Sequence, residues 1–181
     1  MNNTIDKYIK IIAPILLVLL FSLLIKHSFI ITAVIPSESM ENTLEIDDYV
    51  IAIKYPSFLK KINRKDIVLI KHPSELDKKE TLVKRVIGLP EETIYLQKNK
   101  VYIEDSKFPL YEPYVNDIHN TNKNFNIVYH IPQDSYVVLG DNRDLSVDTR
   151  SFGYIKRDQI IAKAIIKIYK TNKFYKISFL N

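Results

Sequence analysis

The chain has 181 residues, a net charge of +5 at pH 7 and a hydrophobic fraction of 46%, which fits one or two compact domains and excludes wholesale disorder. It contains no cysteine, which excludes a thiol nucleophile, a disulfide and a zinc–thiolate centre. Its three glycines and four histidines are too widely spaced for a phosphate-binding loop or an HExxH zinc helix. We therefore expect no metal and no cofactor. The lysines are spread along the chain rather than concentrated with aromatics, so no nucleic-acid partner is expected.

The first feature in chain order is an uncharged run of fifteen residues, IIAPILLVLLFSLLI, between Lys10 and Lys26. As a helix it spans about 22 Å, and lysine snorkelling with apolar neighbours extends its reach towards the about 30 Å of a bilayer core. A cleaved signal peptide would need small residues before its cut site, whereas KHSFIITAVIP follows here. A buried soluble helix would show polar positions at helical spacing. The run therefore predicts one retained transmembrane helix over residues 11–31.

The rest of the chain has the pattern of short strands rich in Val, Ile and Tyr and bounded by turn residues. The predicted strands are DDYVIAI, KDIVLI, TLVKRVI, TIYLQ, KVYIE, SYVVLG and IIAKAIIKIY. Such spacing favours an all-β barrel or sandwich, with a hairpin turn between TIYLQ and VYIE. The polar, Asn-rich stretch 108–133 is interpreted as part of a small cap insertion at about 95–133. The C-terminal lysines predict a strand with solvated lysines rather than a helix face.

Three segments carry the residues with chemical potential: Ile35–Leu44, Leu82–Pro90 and Gly140–Gly153. Without cysteine, and with no histidine beside these segments, a hydrolase would need a serine with a lysine base, and the lysine would need a lowered pKa. Strand alternation places Lys84 on the same face as Leu82 and Val86. We expect that face to point inward and Arg85 to point outward.

Each of these features has an ordinary structural interpretation when it stands alone. Ser39 can be a loop hydroxyl, Lys84 a solvated strand lysine, and Gly140–Gly153 a polar loop held by Asp–Arg pairs. Together, in this order behind one anchor, they are more specific. The chain resembles the bacterial type I signal peptidases, the membrane-bound Ser-Lys proteases that remove signal peptides. Their patterns PSxSMxPTL, KRVIGxPGD and GDNRDxSxDSRxFG correspond here to PSESMENTL, KRVIGLPEE and GDNRDLSVDTRSFG.

The resemblance implies roles for the polar residues of the three segments. Ser39 would be the nucleophile and Lys84 the general base. Ser37 would contribute a hydroxyl to the oxyanion hole, beside the backbone N–H of Ser39. Ser146 would hydrogen-bond the Lys84 amine and orient it. Asp148 and Arg150 would form a supporting ion pair, as continuations of the same motif.

The resemblance also implies how a substrate is bound. Shallow apolar pockets would accept small side chains in an Ala-x-Ala-like site, and the substrate would lie extended along strand edges. The residues implied in this substrate site are Ile35, Pro36, Met40, Leu44, Leu82 and Val83. The expected partners are exported preproteins, the lipid bilayer and the secretion translocon. The compact cap is similar to that of Gram-positive members.

The expected organisation follows from the anchor and from the resemblance. Residues 1–10 would be a cytoplasmic N-terminus, 11–31 the anchor, and 32–181 an extracytoplasmic catalytic β domain in a bacterial cell membrane. An alternative is a catalytically silent relative that serves as a membrane scaffold for exported or pilus proteins. A self-cleaving Ser-Lys repressor is a third class, but the chain has no room for a DNA-binding helical domain before Ser39.

The sequence departs from the family pattern at four places. Asn42 replaces a proline, Asp47 and Glu91 replace glycines, and Thr149 replaces a serine. None of these changes removes a catalytic group. Because glycine adopts a positive φ at little cost, the two lost glycines predict altered turns.

Overall fold

A computed structural model of the protein describes residues 2–54, 61–73, 81–104, 106–115, 126–172 and 174–180. Its first element is the α-helix α1 (Asn2–Phe29). The part of α1 from Lys7 to Phe29 is long and apolar enough to cross a membrane, and none of it is buried within the protein. Helix α1 ends two residues before the predicted end of the anchor, because Ile30 and Ile31 pair with a strand of the following domain.

Eleven strands and a short second helix follow in the part of the chain that the structure describes. They are β1 (Ile30–Val34), β2 (Tyr49–Lys54), β3 (Ile67–Lys71), β4 (Thr81–Gly88), β5 (Thr93–Gln97), β6 (Lys100–Ile103), β7 (Asn126–His130), β8 (Ser135–Leu139), α2 (Thr149–Phe152), β9 (Ile155–Lys156), β10 (Ile160–Lys170) and β11 (Tyr175–Phe179). The mostly-β fold behind one apolar helix is confirmed. All seven predicted strands form, whereas β1, β7, β9 and β11 were not predicted.

The strands form two antiparallel sheets. The larger has the order β1-β2-β10-β3-β4-β8-β9, with β11 also pairing with β10. Strand β4 lies in its interior, where Lys84 is in register with Val68 of β3 and Arg85 with Leu139 of β8. An interior strand has neighbours on both sides and little freedom to shift its register. The side chains of β4 are therefore held at fixed positions.

The smaller sheet has the order β6-β5-β7, and its strands overlap the residues of the predicted cap, about 95–133. Its β5–β6 hairpin is confirmed, and the turn residues Lys98 and Asn99 both have positive φ, 48° and 61°. Two consecutive residues with positive φ are typical of the type I′ turns that join twisted antiparallel strands. Residues 116–125 of the predicted cap lie outside the described residues.

The strand prediction for the C-terminal region is confirmed, but the prediction that its lysines are solvated is wrong for two of them. Lys163 Nζ lies 2.5 Å from Asp66 Oδ1, and Lys167 Nζ lies 2.9 Å from Asp48 Oδ2. Both lysines belong to β10, which is flanked by β2 and β3, so their amines reach carboxylates of neighbouring segments and their side chains are only 29% and 12% exposed. Lys173 lies outside the described residues.

Three apolar clusters form the core of the part of the chain that the structure describes, and β4 contributes to all three, with Ile87 in the third. Val83 is part of the first cluster, which also contains Ile35, Met40, Leu44, Val50, Ala52, Ile67, Leu69, Ala162 and Ala164. Leu82 and Val86 belong to the second cluster, with β8 residues. Both faces of β4 are therefore covered. For this reason the prediction that Arg85 points to solvent is wrong: its exposed fraction is 3%, close to the 2% of Lys84.

The two positions where glycine is replaced keep a glycine-like backbone. Asp47 and Glu91 both have φ 68°, in the left-handed region that L side chains occupy at a cost of about 1–2 kcal/mol. The expectation of altered turns is therefore not met as far as the φ angle is concerned, since both positions keep the positive φ that glycine favours. Asn42 also has a positive φ, 82°, a value that a proline ring, fixed near −65°, does not allow.

Candidate active site

Ser39 lies in a 3₁₀ turn, Glu38–Met40, that follows β1. Hydrogen bonds at both ends hold this segment: the Ile35 N–H donates to Asp48 O (2.9 Å), and the Leu44 N–H donates to Met40 O (2.8 Å). Met40 and Leu44 are fully buried beneath the turn. The turn is thus fastened to the core, and Ser39, 9% exposed, is presented at its edge.

The Lys84 amine faces this serine from β4. Its Nζ donates a hydrogen bond of 2.8 Å to Ser39 Oγ. Burial lowers the pKa of Lys84 from 10.5 to about 8; Asp148 and Asp141 act against this shift, whereas Arg150 adds to it. A charged ammonium loses its hydration in such surroundings, so the neutral amine is favoured. A substantial neutral fraction at mildly alkaline pH gives this lysine the capacity to accept a proton.

Because Gly140 has no side chain, the backbone of the third segment packs directly against the backbone of Ser39. A Cβ atom at position 140 would lie 2.4 Å from the carbonyl oxygen of Ser39 and 2.2 Å from Ser146 Oγ. The N–H of Asn142 donates to the same Ser39 carbonyl at 3.2 Å. The backbone of Ser39 is therefore held by the 140–142 loop as well as by its own turn.

Two further serines were expected near the pair. Ser37 Oγ donates to Ser39 Oγ at 3.3 Å, so the two hydroxyls lie side by side. Ser146 Oγ is buried and has no hydrogen-bond partner among the described residues. The predicted bond between Ser146 and the Lys84 amine is thus not formed in this structure, where Lys84 donates to Ser39 instead.

Asp148 and Arg150 form an ion pair behind the site. Arg150 Nε lies 2.8 Å from Asp148 Oδ1, and Asp148 is completely buried. The same carboxylate accepts from the Gly140 N–H (3.0 Å) and caps α2 at the N–H of Arg150 (3.2 Å). Thr149, which stands where the family has serine, accepts a hydrogen bond from the Val138 N–H at 2.9 Å. Asp148 therefore links α2 to the loop that contacts Ser39.

Arg85 and Asp141 form a second buried ion pair that the sequence analysis missed. The two groups make a bidentate contact, with Nε–Oδ1 2.8 Å and Nη2–Oδ2 2.6 Å. The Thr43 hydroxyl donates to Asp141 Oδ2 at 2.6 Å. The pair thus joins β4, the 140–142 loop and the segment after Ser39. A signal was available, because each residue directly follows a predicted site residue or motif glycine.

The predicted substrate-pocket residues are only partly brought together. Ile35, Met40, Leu44 and Val83 share the first apolar cluster, adjacent to the Ser39 turn. Leu82 instead packs against the second cluster. Pro36 is exposed. The structure therefore provides one apolar floor beside Ser39, with Pro36 at the surface.

A mostly-β domain behind one apolar helix, with a serine hydroxyl bonded to a buried lysine amine, is characteristic of a membrane-anchored serine hydrolase. Comparison with known proteins gives the same answer. A family model described as "Signal peptidase, peptidase S26" matches residues 6–169. The chain belongs to this signal peptidase family and is a serine endopeptidase that removes signal peptides from preproteins.

Individual relatives are similar over most of the chain. Signal peptidase I of Leptolyngbya laminosa is 37% identical over 145 residues, which cover 77% of this chain and 68% of the relative. Signal peptidase IB of Staphylococcus aureus (strain COL) is 32% identical over 171 residues, or 84% and 85%. A crystal structure of a signal peptidase I from Enterococcus faecalis V583 matches with 31% identity and a TM-score of 0.47, covering 56% of this chain and 95% of that one.

Proposed function

We propose that Ser39 is the nucleophile of this peptidase, that Lys84 is its general base, and that the cut follows small side chains. The observation that carries the proposal is the 2.8 Å hydrogen bond between Lys84 Nζ and Ser39 Oγ. The lowered pKa of Lys84, about 8, supports it, because only a neutral amine can accept the serine proton.

Acylation would begin with transfer of the Ser39 hydroxyl proton to Lys84 Nζ as Oγ attacks the scissile carbonyl carbon. The negative charge on the carbonyl oxygen would be stabilised by the Ser37 hydroxyl and the backbone N–H of Ser39. Lys84 would then deliver its proton to the leaving amine. The signal peptide would be left as an ester on Ser39, and the mature protein would depart.

Deacylation would use the same groups with water as the nucleophile. Lys84 would accept a proton from water as the water attacks the ester, and would return a proton to Ser39 Oγ. Each ammonium intermediate needs hydrogen-bond acceptors in a buried site. We assign Ser146 Oγ this role, since this buried hydroxyl has no hydrogen-bond partner in the described part of the chain and is available to accept from Lys84. Asp148 and Arg150 would fix the loop that carries Ser146.

The apolar floor supports a preference for small side chains. Ile35, Met40, Leu44 and Val83 leave their bulk in the core, so the binding surface beside Ser39 would be shallow. The substrate would lie extended between the edges near Pro36 and Leu82. Because one methylene discriminates by only about 1–3 kcal/mol, tethering of enzyme and precursor to one bilayer would supply part of the selectivity.

The orientation we propose places residues 1–10 in the cytoplasm and 32–181 outside a bacterial cell membrane. The partners would be exported preproteins, the bilayer and the secretion translocon. The absence of cysteine makes the topology testable by single-cysteine labelling. We expect a membrane-impermeant maleimide to label intact cells carrying Lys71→Cys but not Asn3→Cys. The reverse pattern would overturn this orientation.

The catalytic assignment is tested by cleavage of a precursor with an Ala-x-Ala site by the full chain in detergent. We expect Ser39→Ala and Lys84→Met to lose cleavage. Ser151→Ala and Lys71→Met, which change an exposed serine and an exposed lysine, serve as matched controls and should cut like the parent. Cleavage by Ser39→Ala at the parental rate would exclude Ser39 as the nucleophile.

A further inference from the structure

The short segment 110–115 contacts two buried arginines near the site, and neither the three motifs nor the proposed mechanism accounts for these contacts. The ring of Tyr114 lies 3.9 Å from the Cζ atom of Arg85, measured to its centroid. The carboxylate of Glu112 accepts from Arg143 Nη2 at 2.5 Å and from the Tyr114 hydroxyl at 3.0 Å. Asn42 Nδ2 donates to the carbonyl of Tyr114 at 3.4 Å.

Both arginines also hold the loop that contacts Ser39. Arg85 binds the carboxylate of Asp141 through two nitrogens. Arg143 donates to the carbonyl of Gly140 at 3.2 Å. Asn142, which lies between Asp141 and Arg143 in this loop, donates its N–H to the Ser39 carbonyl. An unbroken set of direct contacts therefore runs from segment 110–115 through the arginines to the backbone of Ser39.

The contacts of Glu112 and Tyr114 with the two arginines are buried, which strengthens them. The side chains of Arg143 and Glu112 are 3% and 7% exposed, and Arg85 is also buried. A cation over an aromatic face gains most when it is shielded from water, and a buried carboxylate is stable only when it is paired. Burial and the charge of Glu112 raise the pKa of Tyr114, so its hydroxyl stays a donor at working pH.

We propose that Glu112 and Tyr114 are positioning residues, which act through Arg85 and Arg143 to hold the 140–143 loop against Ser39. This inference rests on the proposed function, since it concerns the placement of Ser39 opposite Lys84. In chemical terms, one carboxylate and one aromatic face fix the directions of two guanidinium groups. Those groups fix the loop, and the loop fixes the carbonyl of the nucleophile.

The test compares Tyr114→Leu, which removes the ring, with Tyr114→Phe, which keeps the ring but loses the hydroxyl. We expect Tyr114→Leu to lower kcat about tenfold with KM changed less than twofold, because ground-state binding is untouched. Tyr114→Phe should recover most of that loss. Tyr111→Leu is the matched control, because Tyr111 is in the same segment but 76% exposed, and it should cut like the parent.

A second measurement does not depend on cleavage. We expect the pKa of the Lys84 amine, measured by NMR titration, to be higher in Tyr114→Leu than in the parent, because a loosened loop admits water around the amine. The charged groups that face this amine are Asp148, Asp141 and Arg150. Asp141 lies on the loosened loop and its departure would lower the pKa of Lys84, but burial is the largest cause of the shift, so we expect the net change to be upward. Thermal unfolding measures the folded fraction of each protein, so that kcat is expressed per folded molecule.

The outcomes separate this inference from the proposed function. Equal kcat per folded molecule and equal Lys84 titration in Tyr114→Leu and Tyr111→Leu would overturn it. If Tyr114→Leu does not fold, Glu112→Gln decides: a lowered kcat at constant KM supports positioning, and a parental kcat overturns it. A parent that folds but never cuts would contradict the proposed function, while the Lys84 titration would still decide the role of Tyr114.

Discussion

Lys84 and Arg85 are consecutive residues of β4, with side chains on opposite faces of the sheet, and both are almost completely buried, with exposed fractions of 2% and 3%. Each cationic group has a specific partner: Lys84 binds Ser39 and Arg85 binds Asp141. One strand therefore presents the amine to the serine on one face and fastens the surrounding loops on the other. A shift of β4 would disturb both functions at once.

The pH dependence of cleavage should follow Lys84. Since the pKa of this lysine is lowered to about 8, we expect kcat to rise about tenfold per pH unit below pH 8 and to level off above it. The measurement is a single-turnover pH series on a precursor with an Ala-x-Ala site. A rate that stays flat between about pH 5 and 9 would contradict a lysine base.

Lys84 should also lower the stability of the protein. Its pKa is about 8 in the folded state and 10.5 otherwise, so the unfolded chain binds more protons between these values and stability rises with pH across that interval. Below about pH 8 the full penalty, about 3 kcal/mol, is present. The substitution Lys84→Met removes this penalty, but it also removes the hydrogen bond to Ser39, which contributes about 1 kcal/mol to stability.

We therefore expect Lys84→Met to raise the free energy of unfolding by about 2 kcal/mol at pH 7, and to lose this advantage above pH 10.5. Urea unfolding in detergent at the two pH values measures the difference. Lys71→Met, at an exposed position, is the control and should change little. A destabilised Lys84→Met protein at pH 7 would show that the amine is better solvated than its burial indicates.

Gly140→Ala should damage both stability and activity, because the added Cβ would meet the Ser39 carbonyl at 2.4 Å, and a backbone atom cannot move aside cheaply. Overpacking of this kind costs about 1–3 kcal/mol, and we expect at least a tenfold loss of kcat. Gly153→Ala is the matched variant: the φ of Gly153 is 84°, but an added Cβ would meet no atom of the described residues within 4 Å. It should cost about 1 kcal/mol and keep its kcat.

The left-handed turns offer a stabilising change. At Asp47 and Glu91, both exposed with φ 68°, replacement by glycine should raise the free energy of unfolding by about 0.5–1 kcal/mol each, since the relief of strain exceeds the added chain entropy. Asp158→Gly, at an exposed 3₁₀ position, should lower it. Thermal unfolding distinguishes these outcomes; destabilisation by Asp47→Gly would mean that its side chain supports the turn.

Much of the architecture could be predicted because it depends on local pattern. The strand segments are rich in β-branched residues and are bounded by turn residues. Because the chain has no cysteine, and no histidine lies beside the three motifs, serine and lysine remain as the nucleophile and the base. Strand β1 was missed because the predicted anchor, residues 11–31, already included its first two residues. Only its pairing with β2 separates Ile30 and Ile31 from the helix.

The remaining features depend on contacts between distant parts of the sequence. The burial of Arg85 could not be predicted from the alternation of side chains along a strand. That rule assumes that one face of the sheet is exposed to solvent, whereas both faces of β4 are covered at this position. Lys163 is paired with a residue 97 positions away, and Glu112 with one 31 positions away. No periodic pattern encodes such separations, so the two positioning residues emerged only from the assembled fold.

Helix α1 passes into β1 without an intervening loop, and the Lys54 amine donates to the His27 carbonyl at the helix end, at 2.6 Å. Beyond Phe29, one five-residue strand of about 17 Å and a short turn lead to Ser39. With Ser39 as the proposed nucleophile and α1 as the proposed anchor, the distance from the membrane at which a peptide bond is cut would be set by the length of a strand rather than by a flexible linker. Lengthening β1 by two residues would change that distance while keeping every side chain on its own face.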